Sequence, residues 1–386
     1  MIVWIKGVQV INKGAELMLL AILAELQARR PDIRVALRAS RWLPRPELKR
    51  FGALELLPLR FRDLDLTRLA GAVPGPLRRR LEATGIVMEP DCAAVLDASG
   101  YAYGGGWNAW GMRYATAEMG RFSRSGRPYV FLPQSFGPFA PGADATDFAA
   151  ALARAALVCA RDPESRRHLE ALAAGRAAPI ATYPDLTLRL AGDAGAAQRF
   201  GLAPGTVLFV PNVQMTGEMN RDAAARRDYF GTMVGLGRHA QALGHPVRVL
   251  NHAGSQDATL AARLSSELDA GTVLADPDPR VLKGLLGAAA LVVSSRFHGC
   301  VSALSQAVPC LATGWSHKYQ ALFDDFGLPE GLLRIGDAAS AGAGLESALA
   351  RREAIALGLR ARLPALQARV ADLWDRVFAL LPGPAA

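Results

Sequence analysis

Short apolar, β-branched runs alternate with helical segments along almost the whole chain, which predicts an α/β protein built on open parallel sheets. Two further observations divide it. The alternation halts in the Gly/Ala/Pro-rich stretch 191–205, AGDAGAAQRFGLAPG, and then restarts. A length of 386 residues also exceeds what one core usually organises. The expectation is two Rossmann-like domains, 1–190 and 206–352, joined by a linker at 191–205. A C-terminal segment, 353–386, carries a long amphipathic helix that crosses back to pack on the first domain.

In the first domain, residues 2–5 form the opening strand, 7–14 a loop and 15–28 a helix. This strand, glycine-containing loop and helix open a Rossmann-like unit without a GxGxxG fingerprint, so no dinucleotide is implied. Strands follow at 33–37 and near 54–57. The buried strand 93–96 ends in Asp97 and leads into SGYAYGGGWNAWG, whose glycines allow close backbone approach. Its aromatics, Tyr103 and Trp107 among them, read either as a platform for a sugar face or as plain core. The strand at 129–132 runs into PQSFGPF, where Gln134 and Ser135 are polar tips at a strand end. The strand at 157–160 runs straight into Arg161 and Asp162, with Pro163 at the first helical position. An arginine there suits an anion, or an ion pair with Asp162 or Asp185.

The second domain alternates strands at 207–210, 247–250 and 272–274 with helices at 221–243, 256–268 and 279–287. It culminates in residues 291–318, LVVSSRFHGCVSALSQAVPCLATGWSHK. An apolar strand ends at Ser294, Arg296 and His298 follow, and Gly299 opens a helix of small residues. In open α/β sheets ligands sit outside the carboxyl ends of strands, against helix N-termini. Arg296, His298, the amides of the turn at Gly299 and Lys318 from the next loop therefore suit a phosphorylated or carboxylated ligand. The competing reading pairs Arg296 with a structural carboxylate and leaves His298 as a helix cap.

Composition agrees with an enzyme that handles anions. Hydrophobic residues make up 51% and charged residues 20%, and the net charge is +9. No basic cluster is interleaved with aromatics, so nucleic acid is not an expected partner. Cys92, Cys159, Cys300 and Cys310 lie in apolar contexts without CxxC spacing, and read as reduced thiols. Neither zinc nor any other metal site is expected. Without a basic leader or an apolar run of membrane-spanning length, the chain is expected in the cytoplasm. The arginine- and leucine-rich stretch 59–85 reads as a solvated helix face, with peripheral contact to anionic lipid at the inner membrane face as the alternative.

Seven pieces stand in order: INKGAEL, VLDASGYAYGG, LPQSFGPF, CARDPESRRHL, YPDLTL, NHAGSQD and SSRFHGCVSALSQAVPCLATGWSHK. Together they resemble the polysaccharide pyruvyl transferase family over nearly the whole chain. The resemblance implies a glycosyltransferase-B-like fold of two Rossmann-type domains facing a cleft. It also implies transfer of pyruvate from phosphoenolpyruvate to a saccharide as a ketal, without a required metal or other cofactor. Two positions depart from the family's pattern. Phe297 stands where leucine is common between the arginine and the histidine, and Ala15 and Glu16 follow Gly14 where Gly-Asp-Glu is frequent.

Under that reading Arg161, Arg296 and Lys318 hold the donor's phosphate and carboxylate, and His298 is the general acid. Asp97 and Glu16 are candidates to take the hydroxyl proton. Asn12, Tyr103, Trp107, Gln134, Ser135 and Gly299 are expected around the substrates, with the acceptor on the first domain and the donor anion on the second. The acceptor sugar, free or lipid- or nucleotide-linked, is left open. The main competing enzyme is a nucleotide-sugar glycosyltransferase of the same fold; its usual ribose-binding Glu is missing from GCVSALSQAVP. The other alternative is a non-catalytic saccharide-binding protein.

Overall fold

The computed structural model describes residues 1–61, 64–104, 110–218, 220, 222–314 and 317–383. The chain forms two compact units. Met1–Val10, Met18–Leu186 and Arg369–Ala386 make the first, and Ile11–Leu17 and Thr187–Ala368 the second.

The first unit is built on eight parallel strands among the described residues: β1 (Ile2–Lys6), β2 (Arg34–Leu37), β3 (Leu54–Leu56), β4 (Ile86–Val87), β5 (Ala94–Asp97), β6 (Tyr129–Gln134), β7 (Leu157–Ala160) and β8 (Ile180–Thr182). Their order is β8-β7-β6-β5-β1-β2-β3-β4. The chain winds outward from β1 in one direction and then from β5 in the other, so the switch point lies between them, where Lys6 is in register with Asp97. Covered on both faces, these strands read as continuous apolar runs. Val3, Trp4, Val95, Leu96, Val130, Phe131 and Val158 are all buried. Tyr103, Phe122, Tyr129, Phe136 and Phe148 pack against them as the aromatic heart of the core.

The second unit holds β9 (Val207–Val210), β10 (Val247–Val249), β11 (Leu291–Ser294) and β12 (Cys310–Ala312), all parallel in the order β10-β9-β11-β12. The strand expected at 272–274 is reduced to a single bridge, Leu250 with Leu274. All four cysteines are buried free thiols. Burial pushes the Cys92 thiol up to about 12.

The expected linker is corrected. Residues 191–205 belong to the second unit, carry the helix Ala196–Arg199 and hold an Asp193–Arg199 ion pair of 2.7 Å. A Cβ on Gly192 would lie 2.7 Å from the Gly284 nitrogen, and one on Gly284 would strike the Asp193 carbonyl. The small residues here serve close packing, which composition alone cannot separate from flexibility.

Two segments couple the ends of the chain to these units. Helix α1 (Lys13–Arg29) starts two residues before the expected position, and its first turn groups with the second unit. The last helix runs from Arg352 to Leu380, and from Arg369 onward it groups with the first unit. There the Tyr183 hydroxyl donates to Asp372 at 2.6 Å, Arg29 pairs with Asp375, and Trp374 is fully buried. Among the described residues no helix is long and apolar enough to cross a membrane. The basic stretch forms a 3-10 turn, Thr67–Ala72, and a helix, Gly75–Ala83; that helix buries no residue, and Leu66, Leu69 and Leu77 are exposed.

Candidate active site

The second unit gathers its chemistry where its strands end. Leaving β11, the chain turns sharply because the Ser294 hydroxyl accepts from the Arg296 amide at 3.1 Å and donates to the Arg296 carbonyl at 2.9 Å. Helix α2 (Phe297–Leu304) starts immediately, with Arg296 as its N-cap. Gly299 is required by this closeness, since a Cβ there would lie 2.5 Å from the Ser294 hydroxyl.

Arg296 is not an open clamp. Its Nε and Nη2 donate to the two oxygens of fully buried Asp257 at 2.7 and 2.6 Å, a bidentate pair. Asp257 also accepts from the Val213 amide at 2.9 Å. The structural-carboxylate reading therefore describes one edge of the guanidinium, and Asp257 fixes where the other edge points.

His298 is half-buried on the first turn of α2 and stands edge-to-face against Phe297, with ring centroids 5.4 Å apart. Gly14, on the first turn of α1, lies against its imidazole so closely that any side chain there would collide with the ring. Lys318, on the helix His317–Asp325, has its amine 5.6 Å from the Phe297 ring. Phe297, itself edge-to-face with Tyr319, is thus an apolar neighbour shared by His298 and Lys318.

The α1 turn contributes more than backbone. The Asn12 side chain accepts from the Gly14 amide at 3.1 Å, and its carbonyl accepts from Ala15 and Glu16, so Asn12 caps the helix. Fully buried Glu16 pairs with Lys13 at 2.7 Å, and Lys13 also donates to the Pro277 carbonyl.

One residue was missed. His252, from NHAGSQD, is 1% exposed, and its Nε2 has no hydrogen-bond partner among the described residues. Burial first, then the charges of His298 and Arg296, push its pKa down to about 3, so it is a neutral imidazole. The available signal was positional: like His298, it lies just past the end of a parallel strand.

The remaining candidates belong to the first unit, and several are structural. Asp97 accepts from the hydroxyls of Tyr103 and Tyr129, each at 2.6 Å, and from Ser99, with Lys6 at 3.4 Å. Its oxygens are saturated, which corrects its assignment as a base. Tyr103 is 1% exposed and stacks on Phe136 and Phe148, so it offers no face to a sugar. Gln134 is buried and donates to the Asp97 carbonyl. Arg161 pairs with Asp185 at 3.0 Å and donates to the Ser135 hydroxyl, which donates to Asp162. Asp162 in turn caps the helix Pro163–Ala173 through the Ser165 amide. Trp107 lies outside the described residues.

A family model, polysaccharide pyruvyl transferase, matches residues 12–317. The chain belongs to this family. The matched span begins at Asn12 and takes in Glu16, His252, Asp257, Arg296 and His298. Solved structures add the fold, the glycosyltransferase-B type. The UDP-GlcNAc 2-epimerase of Neisseria meningitidis, bound to UDP-GlcNAc, superposes with a TM-score of 0.60 at 10% identity, over 98% of this chain and 100% of that one. The Anabaena protein HepE in complex with UDP gives 0.57 at 13% identity, over 98% and 99%. Sucrose-phosphate synthase of Thermosynechococcus elongatus gives 0.54 at 15% identity, over the same shares. No curated protein sequence matches the chain.

Proposed function

We propose that this pyruvyl transferase family member moves pyruvate from phosphoenolpyruvate onto a saccharide as a ketal, in polysaccharide or glycoconjugate synthesis. The observation that carries the reading is the strand-end cluster of the second unit, where the Asp257-oriented Arg296 and His298 stand at the N-terminus of α2 and Lys318, on the first turn of the helix His317–Asp325, has its amine beside the Phe297 ring. A donor with a phosphate and a carboxylate on three carbons needs fixed cations at two places, and a residue able to give a proton to its methylene carbon.

In this scheme His298 protonates the methylene carbon, which becomes the methyl group, and C2 takes on cationic character. One sugar hydroxyl adds to C2 and loses its proton; the C2–O bond to phosphate breaks, and a second hydroxyl closes the ketal. Of the two hydroxyl protons, one balances that delivered to the methyl and the other leaves with phosphate. Glu16, buried in the same unit as His298, replaces Asp97 as the candidate to relay the hydroxyl proton. The resemblance to the family implies no required metal, and on this proposal the activity survives exhaustive chelation.

The test is phosphate release from phosphoenolpyruvate by the purified protein across a panel of free, nucleotide-linked and lipid-linked saccharides. Release that depends on acceptor, with the mass gain of a pyruvyl ketal, supports the proposal. Consumption of a sugar nucleotide without phosphoenolpyruvate supports a glycosyltransferase instead. The exposed leucines and arginines of 66–80 fit peripheral contact with anionic lipid, which a lipid-linked acceptor would require.

A further inference from the structure

Within the first unit, a pocket of about 260 Å³ opens at the carboxyl ends of β1 and β2, lined by Trp4, Lys6, Gln9, Arg38, Ser40 and Trp42 among others. None of these residues takes part in the reaction scheme. Strand ends next to a switch point are where open α/β sheets receive ligands. The volume falls below the roughly 300–1,000 Å³ of sites for larger ligands, which suits a single sugar ring.

The wall chemistry is specific. Lys6 is internally compensated by Glu118 at 2.7 Å and Asp97 at 3.4 Å. Arg38 is not. Its guanidinium lies 5.3 Å from the Trp4 ring, its Nε is buried with no hydrogen-bond partner, and it makes no ion pair among the described residues. The Trp4 Nε1 is a second buried donor without a partner among the described residues. Buried donors in folded proteins almost always find an acceptor, so two unsatisfied ones on residues lining one pocket point to an acceptor brought by a ligand. Burial lowers the Arg38 pKa, and the carboxylate that offsets this most, Glu118, is shared with Lys6 and Arg60. At the rim Trp42 is 39% exposed, with the Arg41 guanidinium 4.4 Å from its ring. An indole offers an apolar face to the C–H side of a sugar.

We propose that this pocket binds a sugar ring carrying an anionic group, carboxylate or phosphate, with Arg38 and the Trp4 N–H meeting the anionic oxygens and Trp42 covering the ring. That the sugar belongs to the acceptor rests on the pyruvyl-transfer reading; the binding site does not.

Calorimetric titrations of the full chain with glucuronate, glucose 1-phosphate and glucose, without phosphoenolpyruvate, test it. At least one anionic sugar should bind about tenfold or more tighter than glucose, the worth of one hydrogen bond to a charged group. The tighter of the two anions identifies the natural substituent as carboxylate or phosphate. Arg38→Gln should erase the anionic preference, which separates this pocket from anion binding elsewhere. Trp42→Ala, at an exposed position that does not endanger folding, should weaken binding of the anionic sugar several-fold. Equal affinity for glucose and both anions overturns the proposal, as does a preference that survives Arg38→Gln. Unchanged binding in Trp42→Ala overturns the covering role and the pocket with it. Failure of phosphoenolpyruvate turnover, with these affinities as expected, would instead remove the transfer reading and leave the site standing.

Discussion

Both units bring charged side chains to the carboxyl ends of their parallel strands, and they use them differently. In the first, Lys6, Asp97, Glu118, Tyr103 and Tyr129 close on one another: burial alone would lower the Lys6 pKa, but Glu118, Tyr103 and Asp97 hold it well above its ordinary value. Lys6 first, then Arg60 and Arg38, hold Glu118 low against its own burial. In the second, Lys13, His252, Arg296, His298 and Lys318 stand with two buried carboxylates, Asp257, which orients Arg296, and Glu16, which pairs with Lys13. A network that satisfies itself stabilises a fold. One that keeps cations and imidazoles at a helix N-terminus is suited to an anionic ligand. The contrast separates scaffold from site more sharply than burial does, since both clusters are largely buried.

The largest effect should come from the second cluster. His298→Gln should lose turnover by roughly 10²–10⁴-fold while retaining phosphoenolpyruvate binding, the usual worth of a general acid; steady-state kinetics and a separate donor titration check this. Gly14→Ala, which puts a methyl group into the imidazole, should displace His298 and cost on the order of 10²-fold in rate with little change in thermal stability. The first cluster should answer in the opposite currency. Asp97→Ala leaves two phenols and Lys6 without their shared acceptor and should cost about 3–5 kcal/mol in denaturant unfolding. If Asp97→Ala folded normally and failed only in catalysis, the division between the clusters would collapse.

The smallest effect concerns His252 and acid. Its pKa is depressed from 6.5 to about 3 in the folded chain, so between those values the unfolded chain binds the proton that the folded chain refuses. Its contribution to stability is complete above pH 6.5 and declines as pH falls toward 3. His252→Asn should therefore flatten the loss of stability between pH 6 and 4 relative to the parent; unfolding curves across that range measure it. An unchanged acid slope would mean His252 is hydrated and titrates normally.

The fold was legible because parallel strands buried on both faces announce themselves as apolar runs, from Val3 to Leu311. What the sequence hid was contact over distance. Arg296 and Asp257 are 39 residues apart, and no local pattern shows that they meet. Gly14 reads as a loop glycine until His298 is found against it. Tyr103, in a glycine-rich loop, looked available to a sugar, yet its ring completes the aromatic core. The stretch 191–205 shows the converse: small residues that mimic a linker are there because two backbones pack closely.

The most direct test of the central claim, that the second cluster protonates phosphoenolpyruvate on the way to a ketal, is the product made in D₂O. Mass spectrometry should find solvent deuterium in the pyruvyl methyl group, and His298→Gln should slow its appearance in step with turnover. A product whose methyl carries no deuterium, or one that keeps an enolpyruvyl double bond, would contradict it.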